Sequence, residues 1–176
     1  MESRRIAIIG SGTAGAAAAL FLSRIGHKIT LFEKVKHPEA VGAGVMLQPS
    51  GMSVLRELGL ENAILESGAI VERLYATTTK GKSVLDLRYK HLGNDYYGVG
   101  IHRGVLYQSL YDAVLNQPIN IEVGVDVSKI NDCEREGCSL VSTDGREFRG
   151  FNLVIVAAGA RTHLRKMTGI PHPRRE

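Results

Sequence analysis

Apolar residues recur along the chain in three patterns, and each predicts a different kind of element. Unbroken runs are the first. Ile6-Ala7-Ile8-Ile9 near the start and Leu153 to Ala157 near the end read as strands buried on both faces, the habit of parallel sheets. Helical spacing is the second. Ala18, Ala19, Leu22 and Ile25 share one face, predicted to lie against a sheet. Pro49-Ser50 opens another helix, with Val54, Leu55 and Leu58 inward and Gly59 as its stop. Glu61 to Ser67 predicts a short helix and Leu106 to Leu115 a longer one. Alternation is the third. Val71, Leu74, Ala76, Val84, Leu85 and Leu87 alternate about the turn Lys80-Gly81-Lys82, which predicts an antiparallel hairpin. Ser128–Arg135, Cys138–Ser142 and Glu147–Phe151 predict a three-stranded meander turned by Asp144-Gly145. Ile29 to Glu33 and Ile119 to Val123 are further strands.

This order predicts an α/β fold: a Rossmann-like domain whose parallel sheet carries crossover helices and a three-stranded β-meander. The hairpin interrupts the parallel order, so it belongs to a second layer. The expected division is a discontinuous domain at 1–69 and 101–176, with a partial hairpin insertion at 70–100.

Chemistry enters at the first strand–helix junction. Gly10, Gly12 and Gly15 follow Ile9 in the spacing G-x-G-x-x-G. Gly10 permits a tight turn, Gly12 has no side chain to keep a diphosphate off the backbone, and Gly15 lets the helix lie close on the sheet. A helix starting near Ala14 aims free amides and a positive dipole end at the turn. Gly26 suits the left-handed residue past the helix end. Glu33 closes the second strand about 20 residues beyond the turn, where a carboxylate accepts hydrogen bonds from ribose hydroxyls and repels a 2′-phosphate. The pattern points to the ADP part of a dinucleotide. Other segments leave alternatives open. Val41-Gly42-Ala43-Gly44-Val45-Met46-Leu47 is either a loop that approaches a ligand or a surface loop unusually rich in apolar residues. Arg103, at a helix entrance, is either a phosphate partner or a solvated arginine. Tyr89, Tyr96 and Tyr97 either wall an aromatic pocket or fill core edges.

Composition narrows the field. The 176 residues suit one domain or slightly more, and 44% apolar content is ordinary for a globular chain. The formal charge of +4 comes with no basic helix interleaved with aromatics, so no nucleic-acid partner is expected. A basic cluster of Arg161, Arg165, Lys166, Arg174 and Arg175 reads as a solvated tail or a help to phosphates. No apolar run is long enough to cross a bilayer, and MESRR leads directly into the first strand rather than a signal peptide, so the expected location is cytoplasmic. Cys133 and Cys138 flank an expected hairpin turn and read as ordinary strand residues, and no metal site is expected from the histidine spacing.

Taken together, the glycine turn with Ala19, Leu22, Gly26, Ile29 and Glu33, the run Gly42-Ala43-Gly44-Val45 before Pro49, and His102-Arg103-Gly104-Val105-Leu106 resemble the FAD-dependent aromatic hydroxylases. These are single-component flavoprotein monooxygenases similar to p-hydroxybenzoate and salicylate hydroxylase. The resemblance covers the N-terminal half of such proteins. It implies FAD as cofactor, NAD(P)H as a possible electron donor and a small aromatic substrate. It places cofactor contacts at Gly10, Gly12, Thr13, Ala14 and Gly15, at Glu33 and Lys34, and at Gly44 and Val45. Arg103, Leu106, Val127, Ala158 and Gly159 complete that set, and no catalytic side chain is assigned. One departure stands out. The family's second strand-end motif is G-A-D-G-x-x-S-x-x-R, and here Ala158 replaces the aspartate while Gly159, Thr162 and Arg165 fit. A methyl group accepts no hydrogen bond. Two other readings remain open: a truncated or split, catalytically incomplete FAD-binding domain that needs a second polypeptide or serves as a binding module, and an NAD-dependent dehydrogenase on the same crossover; the partner is expected to be a homodimer mate or a completing polypeptide.

Overall fold

The computed structural model describes residues 2–38, 42–131 and 137–168. In chain order the elements are β1 (Arg5–Ile9), α1 (Thr13–Arg24), β2 (Lys28–Glu33), β3 (Gly44–Leu47), α2 (Pro49–Glu57), α3 (Glu61–Ser67), β4 (Ala69–Val71), β5 (Arg73–Thr77) and β6 (Ser83–Arg88). There follow β7 (Gly98–His102), α4 (Arg103–Leu115), β8 (Asn120–Val123), β9 (Val127–Asn131), β10 (Cys138–Ser142), β11 (Glu147–Phe151) and β12 (Leu153–Val156). They form two compact units, Met1–Glu39 with Leu110–Glu176, and Ala40–Ser109.

The first unit contains the expected parallel sheet, in the order β12-β1-β2-β8. Ile6 pairs with Leu153 and Ile29 across the two neighbours of β1. Ile6 to Ile9 of β1 are all buried, and successive side chains meet opposite covered faces of the sheet. Ala7 and Ile9 join Phe32, Val125, Val127, Leu140, Phe151 and Leu164 in one buried cluster beneath the antiparallel meander β11-β10-β9. Phe32 meets Phe148 and Phe151 edge-on, at 4.9 and 5.9 Å between ring centres. Ile6 and Ile8 point the other way, towards α1. The helix buries Gly15, Ala16, Ala19 and Leu20. The sequence-based face was one step out of phase: Ala18 and Leu22 are half-buried and Ile25 is exposed. The small residues Gly15, Ala16 and Ala19 hold the contact because they let the helix sit low on the sheet. Gly26, at φ 88°, ends it.

The second unit has a three-stranded antiparallel sheet, β3-β7-β4, and the hairpin β5-β6. Here the structure corrects several expectations. The glycine run after Val41 is a strand from Gly44, because Val45 and Leu47 pair with Ile101 and Val99. Val71 belongs to β4, opposite Gly98, and not to the hairpin. The hairpin itself turns about Gly81 as expected, with Leu74 opposite Leu87 and Ala76 opposite Leu85. On α2 the buried residues are Met52 and Leu55, with Leu58 just beyond its end, whereas Val54 is exposed. The compact unit starts near residue 40 because β3, α2 and α3 pack around β7, whereas the sequence-based division at 70–100 followed the hairpin alone.

Cys133, the turn before Gly137, the end of the strand drawn to Arg135, Val41, His172, Arg174 and Arg175 lie outside the described residues. Among the described residues, no helix is long and apolar enough to cross a membrane.

Candidate cofactor site

Three glycines after β1 are required for three different physical reasons. Gly10 turns the chain at φ 103°, donates its amide to the Phe32 carbonyl at 2.7 Å, and has no room for a Cβ, which would stand 2.7 Å from the Ala157 carbonyl oxygen. Gly15, in the first turn of α1, sits directly on the turn: a Cβ there would fall 1.8 Å from the Gly10 oxygen. Gly12 caps the helix in extended conformation, and a Cβ on it would meet nothing within 4 Å. So Gly10 and Gly15 serve the fold, while Gly12 keeps a space empty. No side chain caps α1 and no acid occupies its first turn, which begins with the exposed Thr13 and Ala14. Uncapped amides and the positive dipole end favour an anion at that mouth.

Glu33 is fixed at the same turn. Its Oε2 accepts the Ser11 amide at 2.9 Å and the Ser11 hydroxyl at 2.8 Å, and its Oε1 accepts the Val35 amide at 2.9 Å. A carboxylate offers about four acceptor positions, so Oε1 keeps capacity for a further donor. Tyr111, on α4, has its phenol pushed up by burial and, second, by the Glu33 charge.

The other wall comes from the end of β12. The Ala157 amide bonds the Ile9 carbonyl at 2.8 Å, and Gly159 turns the chain at φ 81°. Between these walls lies a cavity of about 400 Å³, within the range of small-ligand sites. Gly10, Gly12, Glu33, Lys34, Val127, Ala158 and Gly159, all expected from the sequence, line it. So do Val125, Asp126 and His163, which sequence reasoning did not place there, and Arg161 and Thr162, which it offered only as a help to phosphates and as part of the second strand-end motif. Their signal was positional. They follow β8 and β12, and ligands in open α/β sheets collect beyond the carboxyl ends of parallel strands.

The remaining expected residues, Gly44, Val45, Arg103 and Leu106, belong to the second unit. There the glycine run and the arginine meet. The Arg103 amide bonds the Ala43 carbonyl at 3.0 Å, and a Cβ on Gly42 would come within 3.0 Å of the arginine's Cδ. His102 Nδ1 accepts the Gly104 amide at 3.1 Å at the start of α4, and Leu106 is buried. The three tyrosines separate. Tyr89 is fully buried and donates to Gln48 Oε1 at 2.7 Å, so it is a core residue. Tyr96 and Tyr97 line a cavity of about 220 Å³ with Met52, Ser53, Arg56 and Asp95. Tyr97 donates to Glu61 at 2.9 Å, and burial is the main cause of its raised pKa. Arg56 pairs with the same carboxylate at 2.6 Å and lowers its pKa.

A parallel sheet, a glycine turn with a bare cradle, an acid at the end of the neighbouring strand and a covering meander define a dinucleotide-binding α/β unit. The chain belongs to the FAD binding domain family, whose model matches residues 4–176, in the flavoprotein monooxygenases of the aromatic-hydroxylase type. It is 30% identical over 168 residues to the FAD-dependent monooxygenase pynG of Aspergillus niger, covering 93% of this chain and 38% of that protein. It is 30% identical over 118 residues to 3-hydroxybenzoate 6-hydroxylase of Klebsiella oxytoca, covering 65% of this chain and 30% of the relative. The crystal structure of P. aeruginosa PqsL in complex with 2-aminobenzoylacetate shares the fold, with a TM-score of 0.82 at 20% identity over 99% of this chain and 48% of that one. The chain thus spans less than half the length of each of these proteins.

Proposed function

We propose that this chain forms the FAD-binding side of an NAD(P)H-dependent monooxygenase that hydroxylates a small aromatic ring. One observation carries the reading: the cleft beyond β1, β2 and β12, in which Gly12 opens into empty space and Glu33 is fixed at the same turn. The α1 amides receive the diphosphate, Glu33 and Lys34 hold the ribose, and Val125 and Val127 offer an apolar edge to the adenine. Family resemblance assigns Gly44, Val45, Arg103 and Leu106 to the same cofactor, and residues 70–100 to the substrate side. Flavin, when bound, supplies the electron transfer and oxygen activation; the protein positions it and excludes water. The aromatic substrate class is supported by the relatives' names, 3-hydroxybenzoate 6-hydroxylase among them.

A second reading has its own observations. Ala158 puts a methyl group in the cleft where the family motif carries an acid, and Val84, Leu85 and Leu87 of the hairpin are exposed. Both favour a chain that binds FAD and turns over only with further polypeptide. Purified chain is titrated with FAD, then assayed for NADH and NADPH oxidation with and without phenolic acids. Substrate-stimulated oxidation by the chain alone supports the first reading. Bound flavin without oxidation supports the second. Absence of bound flavin at saturating FAD refutes both.

A further inference from the structure

The turn after β12 is fastened at almost every residue. Thr162 donates its amide to the Gly159 carbonyl at 3.3 Å, and Leu164 is buried in the core of the first unit. The His163 ring meets the Ser128 carbonyl at 3.1 Å. Arg165 bends back to the Ala160 carbonyl at 2.9 Å. Arg161 differs. It is exposed, it lines the same cavity as Gly10 and Gly12, and it makes no hydrogen bond or ion pair with any described residue.

We propose that Arg161 is a diphosphate-binding residue of this cleft, the side-chain cation that joins the α1 amides in holding the phosphates of FAD. The inference rests on the FAD-binding reading and adds a residue to it.

The charges around the cleft support that role. The end of a helix supplies only about half an elementary charge, and a diphosphate carries roughly two negative ones, so the amides alone leave charge uncompensated. Acidic competitors for the guanidinium are few. Glu33 is engaged by Ser11 and Val35, the first turn of α1 has no acid, and position 158 is a methyl group. Asp126 is the other carboxylate in the wall. A guanidinium on a rigid turn is pre-organised for paired hydrogen bonds to phosphate oxygens, which a flexible ammonium matches less well.

The full chain and its Arg161→Gln and Arg161→Lys variants are titrated calorimetrically with FAD, ADP and adenosine at two salt concentrations. Arg161→Gln is expected to weaken FAD and ADP about tenfold, the loss of one charge-assisted hydrogen bond, while adenosine binding stays unchanged. Arg161→Lys recovers part of the loss, and the salt dependence of ADP binding becomes shallower in the glutamine variant. The melting temperature stays at the wild-type value, because the side chain is exposed. If FAD and ADP bind the glutamine variant as they bind wild type, the proposal is overturned. An equal fall in adenosine affinity overturns it too, since the arginine then acts on the sugar, the base or the fold. Wild-type chain that takes up neither FAD nor ADP refutes the cofactor reading itself, and this inference with it.

Discussion

Replacing Gly12 and Gly15 one at a time separates binding from folding. In Gly12→Val the new Cβ meets nothing within 4 Å, and the backbone at φ −64° and ψ −178° suits any residue. The protein loses only the modest preference for glycine over an apolar residue at a helix cap, roughly 0.5–1 kcal/mol. For a chain of this size that is a drop of about 1–4 °C in Tm. The valine methyls, however, fill the space in front of the first-turn amides. FAD then loses its closest backbone approach, and its affinity falls at least about a hundredfold, equal to about 2.8 kcal/mol. In Gly15→Ala the same Cβ lands 1.8 Å from the Gly10 carbonyl oxygen, so helix and turn must separate by more than 1 Å. Overpacking of that kind costs about 1–3 kcal/mol or more, and here the obstructing atom is backbone. Its melting temperature should fall much further than that of Gly12→Val. Thermal melts without ligand, followed by FAD titration monitored by flavin fluorescence, read the two effects apart. A Gly12→Val protein that loads flavin normally, or a Gly15→Ala protein that melts with wild type, would refute this division of roles.

Glu33→Gln keeps the shape of the side chain but removes its charge. FAD affinity should fall by about 1.5–3 kcal/mol, the range for hydrogen bonds to a charged group, in an equilibrium titration. Phe32→Ala removes a ring that is fully buried between two others, and chemical denaturation should report a loss of about 3–5 kcal/mol. The Glu61 carboxyl is held below its usual pKa by its hydrogen bond from Arg56, so it contributes stability above the unfolded value near pH 4 that is lost as pH falls through the folded value. The gap in melting temperature between wild type and Glu61→Gln should therefore be full at neutral pH and narrow as pH falls below about 4; a gap that does not narrow there contradicts the assignment.

The elements differed in how readable they were, and the differences have physical causes. The crossover β1-α1-β2 was plain because an unbroken apolar run, a glycine turn and a terminal acid leave few other arrangements. The meander was plain because short alternating strands with tight turns repeat. β3 and β7 were not. Gly98 and Gly100 interrupt the apolar pattern of β7, and the reason for one of them is tertiary: a Cβ at Gly98 would meet the Tyr89 hydroxyl at 3.0 Å and the Met46 sulfur at 3.1 Å. No local window contains those neighbours. The phase error on α1 arose because alanines flank the buried stripe on both sides, so hydrophobicity alone does not say which lie inward. At the site, the glycines and Glu33 were legible from spacing and Arg161 stood only as one member of a basic cluster, whereas Asp126 and His163 entered once the ends of β8 and β12 were placed beside them.

The pairing of β1 with β12 has a consequence for synthesis. The Arg5 amide bonds the Asn152 side chain across 147 residues of chain, and the parallel ladder continues from there to Ile9 and Val156. During translation the loop of glycines emerges early and waits, lacking its facing wall, while the whole inserted unit is made. Until β12 has been made and has paired, β1 stays an open edge available to the wrong neighbour.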